Sequence, residues 1–599
     1  MKTLLALFIF MMIATTALMA QSGQISGTVK DSKSGDLLGG VTVMIKNTVT
    51  GVQTDSKGHW KLKVNAASVV VQFTFIGYQK KELTLKVGSV TDILLEPDTR
   101  TLQDVVVVGF ASTKRMTTTG SIASISGSNY ESTEAYGVIN ENTFHNAQRE
   151  PLSTFSADVD RASYSNIRRF LNNGEIPPSD AIRVEEMINY FDYHYPQPKG
   201  DAPVAIVADM AVCPWNTKHQ LVRIGIQGKT VETKNLPPSN LVFLLDVSGS
   251  MEADNKLPLV KRAMEILVKQ LRPEDKVSIV VYAGAAGEVL PATSGAQKEK
   301  ILAALEKLQA GGSTAGGDGI QLAYTIAAKN FLPKGNNRVI LATDGDFNVG
   351  PSSSGELQRI IEKERERGIS LSVLGFGMGN IKDVNMETLA DKGNGNYAYI
   401  DNYEEARRTF ETEFGGTLFT IAKDVKLQVE FNPATVQSYR LVGYENRLLD
   451  AEDFNNDKKD AGDMGAGHTV TALYEVIPVG SDDKSVNWID PLKYQQSVNS
   501  SSNELLTVKV RYKNPTAEKS KLLQVSLGAR AFSIDKMDAD FRMAAAVASF
   551  GQLLRGSSFK GNATYDDVLN WASRAKGDDP EGYRSEFLQL VKKARLLNK

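Results

Sequence analysis

Cysteine is almost absent: Cys213 stands alone in 599 residues. A lone thiol cannot close an internal disulfide, so stability has to come from large packed cores. Cys213 lies in the apolar stretch VAIVADMAVCP and reads as a buried strand residue. Histidine is scarce too, with 5 in the chain. His59, His145, His194, His219 and His468 never form H-E-x-x-H, so a zinc hydrolase has no support and each reads as a turn or packing residue. Neither Ser248 nor Ser250, the serines of most interest below, sits in G-x-S-x-G. Charge is balanced to a formal net of −2, with no basic stripe, so nucleic acid is not an expected partner. Beyond the N-terminus no apolar run approaches about 18 residues, so the mature chain should be soluble, without a transmembrane segment.

What the N-terminus does have is Lys2 ahead of the apolar run Leu4 to Ala14, then small or polar residues leading to Ala20. This predicts a signal peptide over residues 1–20, cut near Ala20–Gln21, with a buried or anchoring helix as the alternative. No cysteine follows the run, which argues against a lipid anchor. The expected location is therefore exported: periplasm, outer-membrane-associated or cell surface. The length calls for about three to five domains. Residues 24–98 carry short strand-like runs (QISGTVKD, GGVTVMIKN, GHWKLKV, SVVVQFTFIGY, KELTLKV) between Gly, Asp and Ser turns, the pattern of a small β-sandwich. Residues 99–140 read as a linker, although Val105 to Phe110 is apolar enough to demand a partner, within the protein or on another protein's sheet edge. Residues 141–237 give two helical patterns, ASYSNIRRFL and SDAIRVEEMINYF, then two strands. Residues 238–416 alternate strand and helix, which predicts a doubly wound parallel sheet. Residues 418–599 return to strands and end in helices, with Met543, Val547, Phe550 and Leu554 as a core stripe and Thr564 with Asp567 as a capping box. The fold class is thus α/β and multidomain: an N-terminal β-sandwich, a doubly wound α/β domain and a C-terminal mixed β/α domain.

Within the α/β domain, LVFLLDVSGSM runs from a continuously apolar strand into Asp246, Ser248 and Ser250, with Gly249 allowing a tight turn. LQAGGSTAGGDGI adds Thr314 in a Gly-rich loop, and RVILATDGDFNVG adds Asp344 past another apolar strand. Oxygen side chains from three loops at the carboxyl edge of one sheet suit a hard divalent cation. Asp318 and Asp346 lie near enough in sequence to tune such a site. An aspartyl-phosphate phosphatase would need an acid where Ser248 stands. Asp453, Asn455 and Asp457 fall short of a calcium loop, because Lys458 replaces its glycine and Met464 its bidentate glutamate.

These residues carry several resemblances. D-x-S-x-S followed by Thr314 and Asp344 resembles the metal-ion-dependent adhesion site of von Willebrand factor A (vWA) domains. The likeness extends through KLPLVK, VSIVVYAGAAGEVL and GNGNYAYID and covers about residues 141–599, where STFSADVDRASYSNIRRFLN and FRMAAAVASFGQLLR resemble regions flanking the vWA domain in a bacterial family. Residues 24–98 resemble the carboxypeptidase regulatory-like domain of Bacteroidetes-type exported proteins, and LQDVVVVGFASTKRMTTTGSIASISG resembles the segment leading to the plug of SusC-like TonB-dependent receptors, although no plug or barrel follows. The vWA resemblance implies direct coordination by Ser248 and Ser250, direct or water-mediated coordination by Thr314, and action largely through water by Asp246 and Asp344. The expected ion is Mg²⁺, with Mn²⁺ or Ca²⁺ as alternatives. The expected activity is non-enzymatic binding of a protein ligand that presents a carboxylate, with the N-terminal sandwich a spacer or a docking module for an envelope protein. The alternative is a structural or assembly factor whose vWA domain is permanently docked.

Overall fold

The computed structural model describes residues 23–598 except 34, 39–40, 47–50, 56, 65, 67, 76–77, 79, 97–132, 233–235, 284–285, 313–315, 346–353, 413–418 and 484–501. The expected signal peptide, the apolar run Val105 to Phe110, Thr314 and Asp346 lie outside the described residues.

The N-terminal unit has strands β1 (Gly23–Asp31), β2 (Thr42–Ile45), β3 (Gly51–Gln53), β4 (His59–Val64), β5 (Ser68–Thr74), β6 (Lys81–Lys86) and β7 (Val90–Leu95). They form two sheets, β4-β1-β7 and β3-β2-β5-β6. Strict alternation in β4 buries Trp60, Leu62 and Val64 and exposes the residues between them. Those side chains meet Val43, Val71 and Phe73 from the other sheet in one core, so the predicted sandwich forms.

The next segment contains β8 (His145–Asn146), β9 (Leu152–Ser156), helices α1 (Ala162–Asn172) and α2 (Val184–Asn189), β10 (Val204–Val212) and β11 (Gln220–Gly228). Cys213 is buried immediately past β10. The α/β domain follows, with β12 (Ser239–Asp246), α3 (Leu257–Gln270), β13 (Lys276–Tyr282), β14 (Ala286–Ser294), α4 (Lys298–Glu306), α5 (Gly316–Lys329), β15 (Asn336–Thr343), α6 (Ser354–Glu366), β16 (Ile369–Phe376), α7 (Asp383–Lys392), β17 (Tyr397–Ile400) and α8 (Tyr403–Arg407). The final segment contributes β18 (Thr420–Phe431), β19 (Val436–Val442), β20 (Leu448–Leu449), β21 (Met464–Gly465), β22 (Thr469–Pro478), β23 (Glu504–Lys513), β24 (Lys521–Gly528) and helices α9 (Ala539–Arg555), α10 (Tyr565–Arg574) and α11 (Tyr583–Leu597).

The α/β sheet has the order β14-β13-β12-β15-β16-β17. Every residue of β12 is buried, because helices cover both faces of the sheet. All pairings are parallel except that of β14, an antiparallel edge strand which the sequence pattern missed. It holds Pro291, which an edge strand tolerates.

The two flanks, expected from sequence as separate regions 141–237 and 418–599, are one unit. Strand β11 pairs with β22, and β9 with β18, across the whole inserted domain. The resulting sheets, β10-β11-β22-β19-β8 and β20-β9-β18-β23-β24, face each other over a core that includes Phe155, Ile224, Leu427, Tyr439 and Val508. The opposite faces of β11 and β22 offer Leu221 and Leu473 to a second core, built with α1, α2 and α9 to α11. Helix α9 is buried almost all round in that layer, starts at the Asp538 cap and stops at Gly556 in the left-handed conformation. The Thr564–Asp567 capping box opens α10 as the sequence predicted. We call this discontinuous unit the frame.

Buried arginines of the frame hold the inserted domain by its acidic edge. Arg168 of α1 donates from Nε to Asp401 at 2.9 Å and from a terminal nitrogen to Glu405 at 2.7 Å. Arg183 pairs with Asp383 at 2.7 Å and Glu387 at 2.8 Å, and Arg447 with Glu387 at 2.9 Å and Asp391 at 2.5 Å. Burial, helped by the charges of Glu186 and Asp391, drives the Glu387 carboxyl up to about 8, with Arg183 and Arg447 pulling the other way.

Candidate metal centre

The site sits at the carboxyl edge of the two central strands. Parallel register sets Leu245 of β12 beside Ala342 of β15, so Asp246 and Asp344 emerge from neighbouring strands. Both are essentially inaccessible, at 0% and 1% exposure. The Ser248 N–H donates to Asp246 Oδ1 at 2.8 Å, which closes the turn after β12. The Ser248 and Ser250 hydroxyls lie 3.0 Å apart, with Ser248 buried and Ser250 exposed. Thr343 donates its hydroxyl to Asp246 Oδ2 at 3.5 Å and accepts from the Gly345 N–H at 3.2 Å. Gly345 has a φ of +102° and a Cβ there would lie 2.7 Å from the Asn380 carbonyl oxygen, so the tight turn past Asp344 requires glycine.

The Gly-rich loop approaches the same turn. Gly249 N–H donates to the Gly312 carbonyl at 3.0 Å and Gly311 N–H to the Val247 carbonyl at 2.7 Å. These bonds bring the backbone on the N-terminal side of Thr314 to the serine turn, while Thr314 itself lies outside the described residues. Asp318 is exposed in the first turn of α5.

The two buried carboxylates carry different electrostatics. Burial pushes the Asp246 carboxyl up to about 6; bonds from Ser248 oppose the rise and the Asp344 charge adds to it. Two buried carboxylates with two hydroxyls form an all-oxygen donor set that fits a hard cation such as Mg²⁺. Among the described residues no cluster of three or more His, Cys, Asp or Glu side chains offers a competing metal site.

Several neighbours were not legible in the sequence. The Lys256 ammonium donates to Asp344 Oδ2 at 2.7 Å and the Asn380 amide to the same oxygen at 3.4 Å. The loop carrying Asn380 is strapped from outside: Thr133 and Ala135 N–H groups donate to the Gly379 and Ile381 carbonyls, and Gly379 N–H to Glu134 Oε1 at 2.8 Å. A lysine just ahead of an amphipathic helix was the one available signal for Lys256, since a cation there opposes the helix dipole.

Residues 240–412 match the von Willebrand factor type A domain, 416–597 the C-terminal part of uncharacterized protein YfbK, 130–223 a region described as von Willebrand factor, and 25–107 the CarboxypepD_reg-like domain. The uncharacterized protein YfbK of Escherichia coli strain K12 is 44% identical over 474 residues, 77% of this chain and 81% of that protein. The chain belongs to the YfbK family of von Willebrand factor type A proteins. The matches at 130–223 and 416–597 cover the two flanking segments that form the frame. The TonB-dependent receptor SusC of Bacteroides thetaiotaomicron is 37% identical over 106 residues, 18% of this chain and 10% of the receptor, so the shared part is a small fraction of the receptor. A von Willebrand factor type A protein from Catenulispora acidiphila aligns over 74% of this chain and 90% of its own at 14% identity, with a TM-score of 0.34, too low to bear on the arrangement of the whole molecule. Among the described residues no helix is long and apolar enough to cross a membrane.

Proposed function

We propose that this YfbK-family protein is exported and binds a protein ligand through a divalent cation, Mg²⁺ or alternatively Mn²⁺ or Ca²⁺, held by Asp246, Ser248, Ser250, Thr314 and Asp344. The observation that carries the reading is the pairing of two buried carboxylates with a partly exposed pair of hydroxyls at the carboxyl edge of the central strands. A bound ion would supply an open coordination position for an anionic oxygen. The exposed Ser250 hydroxyl and the buried Ser248 hydroxyl beside it offer neutral oxygens, so the ion's charge is only partly offset and a partner's Asp or Glu is the fitting ligand. Asp246 and Asp344 fix the polar groups behind it, oriented by the Ser248 N–H, Thr343 and Asn380. The reading is non-enzymatic: no histidine is among the described partners of either serine, and Ser248 stands where a phosphatase would carry its second acid.

The kinship of residues 25–107 with CarboxypepD_reg-like domains and with TonB-dependent receptors supports an envelope location, with the N-terminal sandwich as spacer or docking module. Affinity capture from envelope extract with the full chain, with and without EDTA, tests the function. A partner released by EDTA is the expected result. A partner retained in EDTA would instead make the protein a permanently docked assembly factor.

A further inference from the structure

Lys256 is placed where physical chemistry argues against a lysine. It caps the N-terminus of α3, where the helix dipole repels a cation, and its side chain is 9% exposed. Burying an ammonium is costly unless a specific partner compensates it. The fold is shaped to deliver this one. Its backbone is pinned on both sides, with Lys256 N–H donating to the Ala253 carbonyl at 2.9 Å and Val260 N–H to the Lys256 carbonyl at 2.8 Å. The aliphatic stem runs past Gly377, which has a φ of +75°; a Cβ there would fall 2.4 Å from Lys256 Cε and 2.5 Å from Cγ. The channel ends on Asp344 Oδ2, 2.7 Å from the ammonium.

We infer that Lys256 is a tethered counter-cation of the metal centre, which competes with the divalent ion for Asp344 and keeps metal affinity low until a partner's carboxylate arrives. This rests on the metal-binding reading above. Without a divalent ion, the ammonium neutralises one of the two buried carboxylates and holds the empty loops in place. A divalent ion must either displace the ammonium from Asp344 or bind beside a like charge, and both weaken uptake. A partner carboxylate adds negative charge next to both cations and relieves that repulsion. Metal and partner binding thereby become mutually reinforcing, as linkage requires.

The test is Mn²⁺ titration by calorimetry of the full chain as wild type, Lys256→Gln and Lys256→Met, with thermal melts in EDTA and in excess Mn²⁺. Lys256→Gln keeps length and a hydrogen-bond donor without the charge, and serves if Lys256→Met fails to fold. Removing the charge is expected to tighten Mn²⁺ binding about 10-fold or more. It is also expected to lower the melting temperature in EDTA, with Mn²⁺ restoring more stability to the variants than it adds to the wild type. Mn²⁺ binding by Lys256→Gln but not by wild type supports the inference as well. A folded variant that binds Mn²⁺ no more tightly than a binding wild type overturns the role of Lys256 alone. Failure of all three proteins to bind Mn²⁺ overturns the metal-site reading and this inference together.

Discussion

Replacing Arg168 with methionine should loosen the inserted domain from the frame by an amount set by its buried partners. The guanidinium is 2% exposed and bonds Asp401 in bidentate fashion, Glu405 at 2.7 Å, the Tyr190 hydroxyl at 2.8 Å and Glu586 at 3.2 Å. Burial pushes both acids up; at Glu405 the charges of Arg168 and Arg408 outweigh it and hold the carboxyl below its usual range, whereas at Asp401 burial prevails. Methionine fills much of the arginine stem but leaves these carboxylates without their shared cation. Breaking a buried pair from one side costs about 3–5 kcal/mol. Urea unfolding gives the assay. Trp215 and Trp571 lie in the frame, Trp60 lies in the N-terminal sandwich and residues 238–416 contain no tryptophan, so in a Trp60→Phe background fluorescence follows the frame without the inserted domain, while far-UV circular dichroism follows the whole chain. Coincident transitions in the wild type would mark one cooperative unit, and the variant should lose about 3–5 kcal/mol with little change in slope. Adding Asp401→Asn and Glu405→Gln should recover part of the loss, because the stranded charges are removed. A loss below about 1 kcal/mol would refute the claim that this ion cluster holds the domain in place.

Two further outcomes follow from the metal centre. Asp246 binds its proton more tightly in the folded chain, at about 6, than a free aspartate at about 3.9. The folded state then carries more protons between those values, so metal-free stability contributed by Asp246 falls by about 3 kcal/mol as pH rises from about 4 to about 6. Melts in EDTA should show that part of the slope vanish in Asp246→Asn, and metal uptake by the wild type should weaken below about pH 6, because binding needs the carboxylate. Gly345→Ala should cost at least about 1–3 kcal/mol by forcing a side chain into a left-handed turn against the Asn380 carbonyl, measurable by chemical denaturation; a neutral result would mean the turn relaxes freely.

The sequence made the centre of the molecule readable because its signals are local. A continuously apolar strand ending in D-x-S-x-S announces a buried parallel strand and the polar turn at its carboxyl end, and Asp344 repeats the pattern one strand over. The Thr564 capping box is equally local. What stayed hidden depends on partners far apart in the chain. The pairing of β11 with β22 and of β9 with β18 joins segments separated by the whole vWA domain, and alternation within a strand does not name its neighbour. Nothing local in KLPLVK names Asp344 as the partner of Lys256, because the fold alone brings the two together. Strand β14 was masked by Pro291, a breaker in most strands and harmless at an edge.

The central claim is that Asp246, Ser248, Ser250, Thr314 and Asp344 hold a divalent cation. Its most direct test is calorimetric titration of Mg²⁺ into the full chain and into a Ser248→Ala, Ser250→Ala variant, whose hydroxyls lie 3.0 Å apart in the wild type. The account predicts one Mg²⁺ site in the wild type and its loss in the variant with the fold intact by circular dichroism. No uptake by the wild type, or uptake unchanged in the variant, would contradict it.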